Sequence, residues 1–339
     1  MDIEKPTGLT RSNSHLLYGA TGSTKTSNCG HFANYIYEQT GKITRYIMAD
    51  PGGIRPIEAK VRRLWDPDLC AWETVNPNGI IDLLDIRWAE YPMSLAQRLS
   101  SGDWPESGSI EGSRTIITFD LVGEHTWSEV GGYVIEGITT LSYAFLETLL
   151  RDGPKLSQQP SYTYTEQGPD GSPQLFHGGN QSFYGLVQNR IAATVKAFSR
   201  LPTRVLWTAH EAVAEDDTTR QTLVGPEVVG KKATSRVPSW VGDCLHLYTP
   251  PQRVAGIAKP RLYFMRHLDD TTTMPYPAKP RVPPELIPKL LERFSPEGYL
   301  EVTYESGIDE FLKYENELLE ESTDLFDEWR RQVDAQRST

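Results

Sequence analysis

A glycine-bearing loop ending in Lys-Thr, set directly behind a short apolar run, constrains this chain more than any other feature. Leu16, Leu17 and Tyr18 stop at Gly19, and Gly19-Ala20-Thr21-Gly22-Ser23-Thr24-Lys25-Thr26-Ser27 leads into a helical stretch over 27–39. Strand, loop and helix in that order is the context a phosphate-binding loop requires. Loop N–H groups would converge on a phosphate chain, the helix start adds partial positive charge, and Lys25 adds a full one. Thr26 then offers a hydroxyl to magnesium. The pattern G-x-x-x-x-G-K-S/T asks for glycine immediately before the lysine, where this chain has Thr24. If that peptide must adopt φ > 0, a β-branched residue there costs about 1–3 kcal/mol.

The rest of the chain reads as alternating strands and helices. Strands are expected at Ile43–Met48, 69–75, 116–122, 133–135, 204–209, Asp243–Tyr248 and 261–265. Helices are expected at 57–64, at 80–99 with a break at Pro92 and Leu83, Leu84 and Ile86 on its apolar side, at 141–151 and at 186–199. Residues 154–185, rich in Pro, Gly, Ser and Gln, read as a long loop. Strands separated by helices imply an α/β fold, a mostly parallel sheet covered by helices on both faces. Residues 269–284 carry repeated prolines and read as a stiff tether, which divides the chain into a core over 1–268, a linker over 269–284 and an acidic helical C-terminal tail over 285–339.

Composition narrows the setting. With 339 residues, 38% hydrophobic and 23% charged, the chain can build a large core. No apolar run approaches the roughly 20 residues that cross a bilayer, and MDIEKPTGLTRSNS is not a signal peptide, so a cytoplasmic protein without a membrane partner is expected. Cys29, Cys70 and Cys244 lack C-x-x-C spacing and read as buried fillers. The net charge of −11 argues against a protein that coats nucleic acid by charge alone. Most of it is concentrated between Asp309 and Glu328, where nine carboxylates face only Lys313, so a separable acidic tail could leave a more basic groove behind.

In an open parallel sheet the ligand sits at the carboxyl ends of the strands. Three polar ends qualify: Asp50, Glu136, and His210 with Glu211. One carboxylate there can orient an attacking water, another can support magnesium, and a polar side chain can sense the terminal phosphate.

Four segments resemble the RecA-like P-loop ATPases of bacteriophages, nucleotide-binding proteins associated with single-strand annealing and recombination: LLYGATGSTKT, YIMADPGG, FYGLVQNRIAATVKAFSRLPTRVLWTAHE and GPEVVGKKATSRVPSWVGDCLHLY. The resemblance implies a RecA-like core that binds ATP and Mg2+ and hydrolyses ATP in phage recombination or replication, in the host cytoplasm if phage-encoded. It places the catalytic carboxylate on Asp50, where the family has Glu, and the magnesium-side acid on Glu136, where the family has Asp. It implies a ring or filament of like subunits, each site completed by a neighbour's cation. Lys231, Lys232 and Arg236 are the candidates for that role, or for gripping DNA phosphates. DNA-contacting loops are expected after the magnesium-side strand, where Tyr162, Tyr164, Phe176, Phe183 and Tyr184 could stack on unpaired bases of a single strand. In the tail, Phe311-Leu312, Leu318-Leu319 and Leu325-Phe326 recur every seven residues, a stripe that wants either its parent domain or a protein partner. Two competing readings are a DNA-translocating motor, of the packaging or helicase kind, and a nucleotide-gated scaffold that does not hydrolyse, the latter suggested by Thr24 and the exchanged acids.

Overall fold

The computed structural model describes residues 13–50, 53–66, 69–86, 99, 104–111, 114–120, 126–156, 163–167, 173–177, 181–215, 222–230, 234–250, 259–268 and 275–337. In chain order they form β1 (Ser14–Gly19), α1 (Lys25–Thr40), β2 (Ile43–Met48), β3 (Val61–Asp66), β4 (Ala71–Thr74), β5 (Ile81–Asp85), β6 (Trp104–Glu111), β7 (Arg114–Asp120), α2 (Thr126–Glu129), β8 (Val130–Glu136) and α3 (Ile138–Leu156). There follow β9 (Thr163–Gln167), β10 (Pro173–His177), α4 (Gln181–Phe198), β11 (Arg204–Glu215), β12 (Thr222–Pro226), β13 (Asp243–Tyr248), β14 (Arg261–Tyr263), α5 (Ile287–Arg293), β15 (Tyr299–Glu301) and α6 (Ile308–Arg337).

The main sheet runs β15-β14-β13-β1-β11-β8-β2-β5-β3-β4, with β12 paired to β11. From β13 to β3 every pairing is parallel, and antiparallel strands finish both edges, so the protein is α/β with a mostly parallel mixed sheet. Successive residues of a strand point to opposite faces. Leu16 and Tyr18 accordingly enter one core with α3 and α4, while Leu17 enters the other with α1 and α6. Phe32 and Ile36 of α1 are buried in the second core, each contributing about 1.5–3 kcal/mol by transfer from water.

Three expectations of secondary structure are corrected. The helix expected over 80–99 is strand β5 over its first described residues, whereas Leu99 at its far end is helical: Leu83 and Leu84 face opposite cores, and a strand covered on both sides shows a continuous apolar run that helical periodicity also fits. The helix over 57–64 is a single 3-10 turn, Glu58–Lys60, followed by β3. Residues 154–185 are not a loop. They hold the end of α3, the antiparallel pair β9–β10 and the start of α4, and the Gly168-Pro-Asp-Gly171 turn signal hid the short strands on either side. Of their aromatics, Phe183 is buried and Tyr184 exposed, and Tyr162 lies outside the described residues.

The tether and the tail also differ from expectation. Lys279 exchanges two backbone hydrogen bonds with Cys244 of β13, and Tyr18 donates its hydroxyl to the Pro277 carbonyl at 2.8 Å. Tyr276, Ala278 and Val282 are buried at alternate positions, so the described part of 269–284 is an extended segment stitched to the sheet. Helix α6 places Phe311, Leu312, Leu318 and Leu319 in the same core as Leu17, so over its first turns it covers the sheet instead of standing apart. The side chains of Leu325 and Phe326 lie outside the described residues.

A buried polar cluster fastens α6 to the sheet at the edge opposite Gly19. His15 pairs with Asp243, while Glu315 accepts from the Arg281 guanidinium at 3.0 Å and from the Arg281 backbone N–H at 3.1 Å. Burial pushes the Glu315 carboxyl up to about 8, with Asp243 adding to the rise and Arg281 opposing it. Unfolded, the same group titrates near about 4.3. The folded chain thus binds an extra proton between those values, and stability is lost as pH rises from about 4.3 to about 8. His15, whose pKa burial holds well below its ordinary value with Arg281 and Arg204 adding to the effect, acts with the opposite sign and withdraws stability as pH falls through about 6.5. Glu315→Gln is expected to remove the alkaline decline from the urea-unfolding profile while leaving the acid-side loss. An unchanged slope between about pH 5 and 8 would show that Glu315 is already ionised in the fold.

Candidate functional site

The loop between β1 and α1 is built to turn sharply. Gly22 has φ 80°, and Thr24, at the N-cap of α1, has φ 68° and ψ 22°. The left-handed conformation foreseen for Thr24 is therefore present, on a β-branched residue that disfavours it. The hydroxyl oxygens of Ser23 and Thr24 are buried without a hydrogen-bond partner among the described residues. Such orphaned donors suit phosphate oxygens. Thr24→Gly is expected to raise stability by up to about 1 kcal/mol, since relief of about 1–2 kcal/mol of left-handed strain is partly offset by glycine's entropy. Thermal unfolding of the two proteins measures the difference, and a lower Tm in Thr24→Gly would refute the strain.

Lys25 is buried and donates to the Gly19 and Ala20 carbonyls at 2.8 and 2.9 Å, so two of its N–H groups close the loop on itself. Burial lowers its pKa, and Asp50 and Glu136 pull it back up. Thr26, one residue on, donates to Glu136 Oε1 at 2.6 Å, and the Tyr46 hydroxyl donates to Glu136 Oε2. Burial raises the Glu136 pKa against these two hydrogen bonds, with Asp50 adding to the rise and Lys25 lowering it.

Asp50, just beyond β2, accepts from the Thr140 hydroxyl and lies 3.4 Å from His210 Nε2. Burial alone would raise its pKa, but hydrogen bonds from His210 and Thr140, and the Lys25 charge, hold it below the ordinary value. Gly137 makes this approach possible, because a Cβ there would stand 2.4 Å from Asp50 Oδ2. His210 is level with Gly19 in the β1–β11 register, and its backbone N–H donates to Thr139 Oγ1 at 2.9 Å.

Asp50 and Glu136, beyond β2 and at the end of β8, are thus brought together with Lys25, Thr26 and His210 at one end of the parallel strands. The strand end expected at His210 and Glu211 is corrected, because β11 runs on to Glu215 beside β12 and His210 lies where its pairing with β1 stops. Sequence reading missed Tyr46, Thr139, Thr140 and Gly137. Tyr46 was legible as an inward position of β2, and the Gly-Ile-Thr-Thr after Glu136 marks a helix start that keeps hydroxyls at the strand end. Glu211 makes its contacts elsewhere, accepting from Tyr276 at 2.9 Å and lying 2.9 Å from His246 Nε2, while its charge still adds to the upward pull on the Lys25 pKa. Arg236 is exposed at the turn leading into β13, whose first residue pairs with His15 at the far edge of the sheet, so within the chain it does not join the site. Lys231 and Lys232 lie outside the described residues.

The donor set fits magnesium. Thr26 Oγ1 and the Glu136 carboxylate are hard oxygen donors in contact, with Asp50 near enough to raise the Glu136 pKa, and a divalent cation held by one or two carboxylates with its own waters satisfies such a group. No helix among the described residues is long and apolar enough to cross a membrane. No protein-family model matches this chain, and a search of curated proteins finds no relative.

Proposed function

We propose that the chain binds a nucleoside triphosphate, ATP on the sequence resemblance, together with Mg2+ at the Gly19–Ser27 loop and hydrolyses it. The observation that carries this reading is the convergence of Lys25 and Thr26 of α1, Asp50 and Glu136 beyond β2 and at the end of β8, and His210 of β11 at one end of the parallel strands. Backbone N–H groups of 22–26 and the Lys25 ammonium bind the phosphates. Thr26 and Glu136 hold the metal, which when bound neutralises charge on the phosphate oxygens. Asp50, kept ionised by His210, Thr140 and Lys25, accepts a hydrogen bond from water and aims its oxygen at the terminal phosphorus. The new P–O bond forms as the bond to the bridging oxygen breaks, and the water's proton passes through Asp50 to solvent. His210 holds Asp50 in place and reports the loss of the terminal phosphate to β11.

On the resemblance, this cycle controls an interaction with single-stranded DNA in phage recombination or replication, in an oligomer whose neighbours supply Lys231, Lys232 or Arg236. The test is phosphate release by purified protein without DNA, with single strands and with duplex, at two salt concentrations. Stimulation by single strands supports the reading, whereas strand unwinding or translocation favours a motor. Tight ATP binding with no turnover favours the scaffold, which the strained Thr24 and the folded-back Lys25 also suit.

A further inference from the structure

We propose that the cleft beside the phosphate loop takes the nucleoside end of the nucleotide, with Tyr304 stacking on its base. This inference rests on the nucleotide reading above and adds to it a subsite built by the C-terminal part of the chain. The cleft has a volume of about 610 Å³ and is bordered by Thr24, Ser27, His31, Lys60, Thr303 and Tyr304. Sites for small organic ligands span about 300–1,000 Å³. Thr24 and Ser27 flank the Lys25-Thr26 pair, so the cleft opens off the same helix start that would hold the phosphates.

Tyr304 has no role in the fold that would account for its placement. It is 98% exposed, so its ring adds nothing to either core. The backbone beneath it is nonetheless firmly set. Thr303 Oγ1 accepts from the Glu305 and Ser306 N–H groups at 3.1 and 3.0 Å, and Thr303 N donates to the Ser306 carbonyl at 2.9 Å. This turn is also tied to the phosphate loop by one buried side chain. Asn28 accepts from the Ile308 N–H at 3.0 Å through Oδ1 and donates to the Thr24 carbonyl at 3.1 Å through Nδ2. An aromatic ring presented to solvent from a fixed turn, on the rim of a cleft that adjoins a phosphate site, is suited to a planar base. Stacking is tolerant of base identity because every base offers a π-face. Lys60, engaged with the Gly30 carbonyl, Lys259, paired with Glu301, and Glu305 stand on the same rim, so the cleft offers polar groups of both signs beside its aromatic ring.

The experiment measures equilibrium binding of ATP and of inorganic tripolyphosphate, both with Mg2+, to wild type, Tyr304→Ala and Tyr304→Phe. Tyr304→Ala is expected to weaken ATP about tenfold, to leave tripolyphosphate unchanged, and to be rescued by Tyr304→Phe. Unchanged ATP affinity in Tyr304→Ala, or equal losses for both ligands, would overturn the base subsite and leave the phosphate loop standing. Failure of wild type to bind either ligand would instead reject the nucleotide reading, and the subsite with it.

Discussion

Lys25→Ala is expected to lower phosphate release by about 10²–10³-fold, the usual loss when one preorganised donor to a developing charge is removed. The ammonium lies in a desolvated pocket, where its attraction to phosphate is screened far less than in water. Its N–H groups are spent on the carbonyls of exposed Ala20 and buried Gly19, so the substitution leaves the Gly19 carbonyl unpaired at a cost of about 1–3 kcal/mol, which the fold should survive. Phosphate release and thermal unfolding of both proteins check this together. Equal rates in the two proteins would mean that the activity belongs to a contaminant; loss of folding would mean that the lysine is a structural clasp.

Asp50→Asn is expected to lower turnover by about 10²–10⁴-fold, the range for a positioned acid–base group, while leaving ATP affinity within about threefold, because the proposed role of the carboxylate is towards the attacking water and not towards the bound phosphates. The isosteric amide keeps the Thr140 contact but loses the charge that draws His210. The direction of the Asp50 shift gives the pH dependence. With its pKa held below the ordinary carboxylate value, Asp50 stays ionised through the neutral range, and wild-type turnover should decline on its account only as the medium becomes more acidic than about pH 3.9. Single-turnover measurements separate the chemical step from binding. Undiminished turnover in Asp50→Asn would transfer the water-orienting role to another group, with Glu136, whose pKa Asp50 raises, the first candidate.

Much of this site was legible because its signals are local. The Gly19–Ser27 motif, the apolar run before it and the carboxylates Asp50 and Glu136 at the ends of β2 and β8 each sit where a short pattern announces them. The partners were harder to read, since the residues that tune Asp50 come from the start of α3 and the middle of β11, far apart in sequence, and a Thr-Thr pair at a helix start has a local explanation that hides the distant one. In the fold, β13 was placed to the residue although it too is covered on both faces, whereas β5 was taken for a helix because its continuous apolar run lacks a two-residue period. The Pro-rich 275–284 stretch misled for a related reason: its composition suggests a solvated spacer, while its alternate positions Tyr276, Ala278 and Val282 carry the inward pattern of a strand.

The position of β1 has a consequence for how the molecule is assembled. Its neighbours on either side, β11 and β13, both come from the second half of the chain. A fragment ending before residue 200 would contain the whole glycine-lysine motif, yet it would leave that strand without either native neighbour. Loop closure over such spans is slow and entropically costly, so the glycine-lysine loop reaches its native setting late during biosynthesis, and a prematurely terminated polypeptide lacks that setting however complete its signature.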